Sequence, residues 1–195
     1  MPPITRDSLM TLEAYTKARP VLRAETMAHK KNRLVHLGEH IALMFEDEKT
    51  LRYQIQEMLR VEKTFEEQGI QDELSAYTPL LPDGHNWKAT MLIEYTDETE
   101  RRRMLALLKG VEDQVYVQIG EFDKVFAIAD EDMERENAEK TSSVHFLRFD
   151  LTRSMMDALQ TGAGLAMGVQ HPNYAAQLAT VPEATRTALM ADLVF

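Results

Sequence analysis

The chain of 195 residues contains no cysteine. That absence excludes a disulfide framework, a cysteine-held zinc or iron–sulfur centre and a thiol nucleophile. Long apolar runs are also missing. Stretches such as Ile41–Phe45 span five residues, against the roughly 20 a membrane helix needs. Nothing of signal-peptide type follows Met1–Arg6. No membrane partner is expected, and the cytoplasm is the expected compartment. Basic residues are outnumbered, 22 against 32 acids, for a net charge of −10. A general nucleic-acid binder needs a basic footprint, so no nucleic-acid partner is expected. No serine lies in a G-x-S-x-G elbow. Gly162-Ala163-Gly164 opens like a dinucleotide loop, but Met167 stands where the third glycine belongs. A Walker motif is absent.

What is present is the pattern of a chain long enough for a proper core, 44% hydrophobic. Asp7 or Ser8 is placed to cap a helix through Tyr15, and Pro20 should interrupt it before a second helix over Val21–Lys31. Leu34–Leu37 and Ile41–Phe45 read as strands around a two-residue turn at Gly38-Glu39. Glu46-Asp47-Glu48 opens a long helix with Leu51, Ile55, Met58, Leu59 and Phe65 at helical spacing, expected to end near Gly69, before a short helix over Gln71–Tyr77. Further strands are predicted at Trp87–Tyr95, Val115–Ile119, Lys124–Ala129, Val144–Asp150 and Leu165–Val169. Helices are predicted from Thr96 to about Lys109, over Arg153–Gln160 and over Glu183–Leu193, with a loop at Pro172-Asn173. The acidic stretch 130–140 reads as a surface loop or short helix. The implied fold class is α+β in a single domain, 1–195. It comprises a helical, basic segment (1–33) and then an antiparallel or mixed sheet of about six strands built from hairpins, with helices packed on it.

Charge is segregated. Between Lys17 and His36, six basic residues (Lys17, Arg19, Arg23, Lys30, Lys31, Arg33) face one acid, Glu25. The local charge is +5, leaving −15 for the remainder. Such a patch can steer an acidic partner or a phosphate. On the long helix, Arg52, Gln56 and Arg60 are four apart and share a face, a candidate polar groove. The candidate binding residues are therefore Lys30, Lys31, Arg33, Arg52, Gln56 and Arg60.

Of the six histidines, His36 and His40 belong to His36-Leu37-Gly38-Glu39-His40, the spacing of an inverted zinc-protease motif. That chemistry needs both histidines on one helix face, whereas Gly38 and the flanking residues point to a hairpin. Glu25 and His29 are four apart on a predicted helix. Glu25, His29, His36 and His40 are the candidate ligands of a divalent metal. No glutamate stands three residues before any histidine, so the E-x-x-H element of di-iron bundles is missing. His145, between Val144 and Phe146, is expected to be a half-buried structural residue, and His85 and His171 are expected in loops.

Several stretches carry a family resemblance: Ala28–Arg33, Leu43–Asp47 running into Arg52–Arg60, Leu80–Gly84 before Lys88–Tyr95, and Thr141–Phe149. Together they resemble the bacterial family "domain of unknown function 3501" over nearly the whole chain. Members of that family are often encoded beside rubrerythrin-like proteins and an iron–sulfur oxidoreductase of the heterodisulfide-reductase type. The resemblance implies a cytoplasmic accessory or binding protein of such a redox system. Without cysteine the chain would carry no cluster of its own. A metal-dependent enzyme using histidine and carboxylate, and a homodimeric structural module, are the alternatives.

Overall fold

Helix α1 (Leu12–Lys30) is one element, not two. Thr11 caps it by accepting from the Ala14 N–H, and Arg6–Ser8 form only a 3-10 turn. Pro20 lies inside the helix and removes one hydrogen bond. Contacts on both sides of it offset that loss: Tyr15 and Arg19 both reach Glu57 of the next helix, and Thr26 is buried. Tertiary packing decides helix continuity here, as it usually does. The computed structural model describes residues 4–129, 131 and 140–195. The predicted acidic loop at 130–140 falls almost wholly outside the described residues.

Strands β1 (Leu34–Leu37) and β2 (Ile41–Phe45) form the predicted hairpin, but its loop has three residues, Gly38, Glu39 and His40. Gly38 takes φ +72°. The Tyr174 hydroxyl inserts between the strand ends, accepting from His40 N–H (3.1 Å) and donating to Leu37 C=O (2.6 Å). These are the groups a two-residue turn would have paired with each other. His36 is shifted opposite Ala42 as a result.

Helix α2 (Glu48–Glu62) is capped by Asp47, and Lys63 ends it in a left-handed conformation, before Gly69 is reached. Phe65 is therefore off the helix and 74% exposed, contrary to its expected place on the apolar face. Helix α3 (Glu67–Tyr77) starts earlier than the spacing suggested. Ile4, Leu9, Leu51, Ile55, Leu59, Ile70 and Leu74 form a small core shared by α2, α3 and the N-terminal segment.

The larger core lies between two antiparallel sheets, where the sequence suggested one. Strands β3 (Asn86–Ile93), β6 (Ile128–Ala129) and β7 (Val144–Asp150) complete the first with β1 and β2, in the order β1-β2-β3-β7-β6. The second runs β5-β4-β8-β9, with β4 at Val115–Ile119, β8 at Leu165–His171 and β9 at Tyr174–Leu178. The segment predicted as one strand, 124–129, is the seam. Its first half, β5 (Val125–Phe126), pairs with β4, and its second, β6 (Ile128–Ala129), pairs with β7. Strand β9 carried no apolar alternation strong enough to distinguish it from a loop, and Ala175-Ala176 explains why. Phe45, Trp87, Met91 and Phe149 meet Val117, Ile119, Met167 and Val169 across the interior. Helices α4 (Glu98–Leu107), α5 (Arg153–Gln160) and α6 (Glu183–Met190) contribute Leu105, Leu159 and Leu189. Asp97, not Thr96, caps α4. The α+β class and the N-terminal helix stand as read. No described helix is long and apolar enough to cross a membrane.

The Gly38→Ala variant is expected to lose stability. A Cβ there would lie 2.5 Å from the Tyr174 hydroxyl in a backbone conformation that disfavours side chains. Urea unfolding should show a loss of about 1–3 kcal/mol.

Candidate functional site

The last turn of α1 and the start of β1 bring His29, Lys30, Lys31, Asn32 and Arg33 to the junction of β2 and α2. Arg33 was expected on the surface, yet it is 1% exposed. It follows the end of α1 and its chain re-enters the sheet, where Phe45 N–H donates to the Arg33 carbonyl. Its guanidinium donates to Phe45 C=O (2.9 Å), Glu46 C=O (3.1 Å) and Ala188 C=O (3.0 Å), and it pairs with Asp47 (3.3 Å) and Asp192. A buried guanidinium is tolerated only when its donors are met in this way.

Asp47 serves three partners at once. One oxygen caps α2 by accepting from Thr50 N–H (2.9 Å). The other faces Arg33 and lies 2.5 Å from His29 Nε2. His29 is only partly buried and opens on a cleft of about 500 Å³ bordered by Asn32, Lys49, Thr187 and Asp192. A carboxylate-held imidazole of this kind can accept or pass a proton. The Thr187 hydroxyl donates to Glu183 at 3.4 Å. Two effects oppose each other at Asp192. Burial raises its carboxyl and Arg33 lowers it; burial prevails and the carboxyl is pushed up to about 6 from 3.8.

The other predicted residues are dispersed. Lys30 lies over the Tyr53 ring at 5.9 Å, and Lys31 is exposed. Arg52 pairs with Glu48 and donates to Ser8 C=O. Gln56 is buried and accepts from Met10 N–H at 2.6 Å. The N-terminal segment covers part of the polar face of α2, and Arg52 and Gln56 border a small cavity of about 110 Å³ there with Ser8, Tyr15 and Tyr53. Arg60 joins Arg19 and Tyr15 on Glu57, and these donors hold the Glu57 carboxyl down at about 2. Glu25 is exposed and does not pair with His29, whose partner is Asp47. His36 is exposed on β1, and His40 stacks on Tyr95 at 3.9 Å. Among the described residues, no three His, Asp or Glu side chains gather in a group that could hold a metal. His145 is fully buried, with Nε2 3.0 Å from Thr141 Oγ1 and 3.0 Å from Ser142 C=O. His171 lies on β8 and contacts Lys109 C=O (3.0 Å).

Asp47 and Asp192 were not singled out from the sequence. An Asp before a helix signals a cap, and that reading hides its second oxygen. Asp192 lies 159 positions from Arg33, a separation no local pattern bridges.

The model of the family described as "Protein of unknown function (DUF3501)" matches residues 3–193. The chain belongs to the DUF3501 family. Among solved structures, this DUF3501 chain is similar to a novel protein of unknown function from Burkholderia pseudomallei K96243, crystallised at 1.90 Å resolution. The two are 53% identical with a TM-score of 0.94, over 99% of this chain and 100% of the other. No curated protein matches.

Arg33→Met should cost about 3–5 kcal/mol in urea unfolding, because two carboxylates lose their buried counter-charge. Asp192 binds its proton more tightly folded than unfolded. Its contribution to stability is therefore greatest below about pH 4 and falls as pH rises to about 6. Unfolding followed from pH 4 to 7 should show this decline in the native chain and its absence in Asp192→Asn.

Proposed function

We propose that this DUF3501 chain is an accessory binding protein of a cytoplasmic redox system, docking an acidic partner on the outer face of α1. One observation carries the reading. Arg23, Lys30 and Lys31 have no carboxylate partner among the described residues, and they border an exposed strip of Val21, Ala24, Met27 and Ala28. Val21 is 63% exposed and Met27 37%. Glu25 is the one acid of this half of the helix, so the face stays positive in a chain of net −10. An apolar strip with a basic border suits an acidic protein surface, where charge sets encounter rate and apolar contact sets lifetime. The partner class, a rubrerythrin-like protein or an iron–sulfur oxidoreductase, rests on the family resemblance and on the cysteine-free composition. A protein without a cluster or a thiol can serve such a pathway by docking. The cleft beside His29 adjoins this face.

A homodimer is a second reading, favoured by strand β9. It ends the second sheet, and residues 171–182 include no Asp, Glu, Lys or Arg. Edge strands normally carry charges that block pairing with another chain, and a neutral edge lets two copies of like net charge approach.

Titration calorimetry of the purified chain against each neighbouring redox protein should reveal a salt-sensitive complex. The double variant Arg23→Glu, Lys31→Glu should bind about tenfold more weakly at low salt, the gap narrowing as salt screens the charges. No complex with either protein, or one indifferent to both substitutions, would refute the docking reading. Light scattering that reports a monomer would remove the dimer.

A further inference from the structure

A second cleft opens where the β1–β2 loop, the end of β3 and helix α4 meet, lined by Glu39, His40, Glu94, Tyr95, Arg101 and Ser143. It is separate from the α1 face, and nothing in the docking reading uses it. Its polar groups are held in place by backbone contacts that leave part of their hydrogen-bonding capacity open. The His40 ring lies flat on Tyr95, with an interplanar angle of 18°. His40 Nδ1 is 2.9 Å from Glu94 C=O. A carbonyl only accepts, so Nδ1 carries the proton, and in the neutral form of the ring Nε2 presents a lone pair. That Nε2 makes no hydrogen bond to a described residue. The loop backbone is fixed as well, through Tyr174 to His40 N–H and through Glu94 N–H to His40 C=O.

Arg101 comes from the first turn and a half of α4 and is half-buried. It donates to Tyr95 C=O at 3.2 Å and pairs with no carboxylate among the described residues. Its neighbour Arg102 pairs with Glu98. The Ser143 hydroxyl is likewise unengaged, while its carbonyl accepts from Ile93 N–H.

The cleft therefore carries two complementary kinds of polar group. A guanidinium on α4 offers donors only, in the fork that suits a carboxylate. His40 Nε2 and the exposed carboxylates of Glu39 and Glu94, on the loop and the end of β3, offer acceptors only. A plain anion would meet two glutamates, and a plain cation would meet the arginine. We propose that this cleft binds a small zwitterion of α-amino-acid type, its carboxylate on Arg101 and its ammonium donating to His40 Nε2 and Glu39. No covalent step is involved.

The test is an amide NMR titration of the full chain with L-alanine, with acetate and methylammonium as half-ligands. Saturable shifts at His40, Tyr95 and Arg101 are expected with alanine, at least about tenfold stronger than with either half-ligand, since both charged ends contribute. Arg101→Gln and, separately, Glu39→Gln should each weaken binding by about tenfold. Glu39 is exposed, so that variant tests the cleft even if Arg101→Gln fails to fold. Imidazole nitrogen shifts should report the Nδ1–H form in the free chain. The proposal is overturned if alanine gives no saturable shifts, if acetate alone binds equally well, or if Glu39→Gln leaves alanine binding unchanged. None of these outcomes bears on the α1 docking face.

Discussion

The guanidinium of Arg33 is the point on which the molecule's parts converge. It ties the end of β2 at Phe45 and Glu46, the cap of α2 at Asp47, and the C-terminal segment at Ala188 and Asp192. Each tie replaces a bond that water would otherwise make, so removing one partner leaves the others buried and unsatisfied. The same side chain helps orient Asp47 toward His29. The candidate cleft is in that sense a by-product of the anchor: a structural ion cluster whose open side carries an imidazole.

A second tie, weaker but similarly placed, is the Tyr174 hydroxyl in the β1–β2 loop. It joins an edge strand of one sheet to the edge hairpin of the other and widens the loop by one residue. That widening takes His40 out of the strand ladder and lays it on Tyr95. The two histidine-bearing clefts thus owe their geometry to contacts 134 to 159 positions apart in sequence.

Much of the fold was legible because it rests on local chemistry. The hairpin at Leu34–Phe45, the opening of α2 at Glu46-Asp47-Glu48 and the helices that begin at Arg153 and Glu183 are all readable from neighbouring residues. The composition of Trp87–Tyr95 and Val144–Asp150 marked β3 and β7 as strands, while the fold decided which face of β7 turns inward, burying His145, Leu147 and Phe149. The failures have a common cause. Pro20 looked like a break because propensity cannot weigh the contacts of Tyr15 and Arg19 against one missing hydrogen bond. Segment 124–129 looked like one strand because a change of sheet at Ala127 leaves no mark on an extended stretch. Of the candidate site residues, Lys30 and Lys31 lie where charge counting placed them, on the surface or its margin. Arg33, Arg52 and Gln56 were drawn inward by partners that only the folded chain supplies.

The sequence by itself determined the class of fold, the chemistry this chain lacks and the membership of its family. Composition, period and caps are short-range properties, and absent cysteine is an absolute one. Tertiary structure alone decided which charges are spent and which remain available. Arg33 stands in the turn between α1 and β1 and Arg101 in an ordinary helix. One is buried against two carboxylates and the other is left facing a cleft, because long-range packing pairs Asp47 and Asp192 with the first and, among the described residues, pairs no carboxylate with the second.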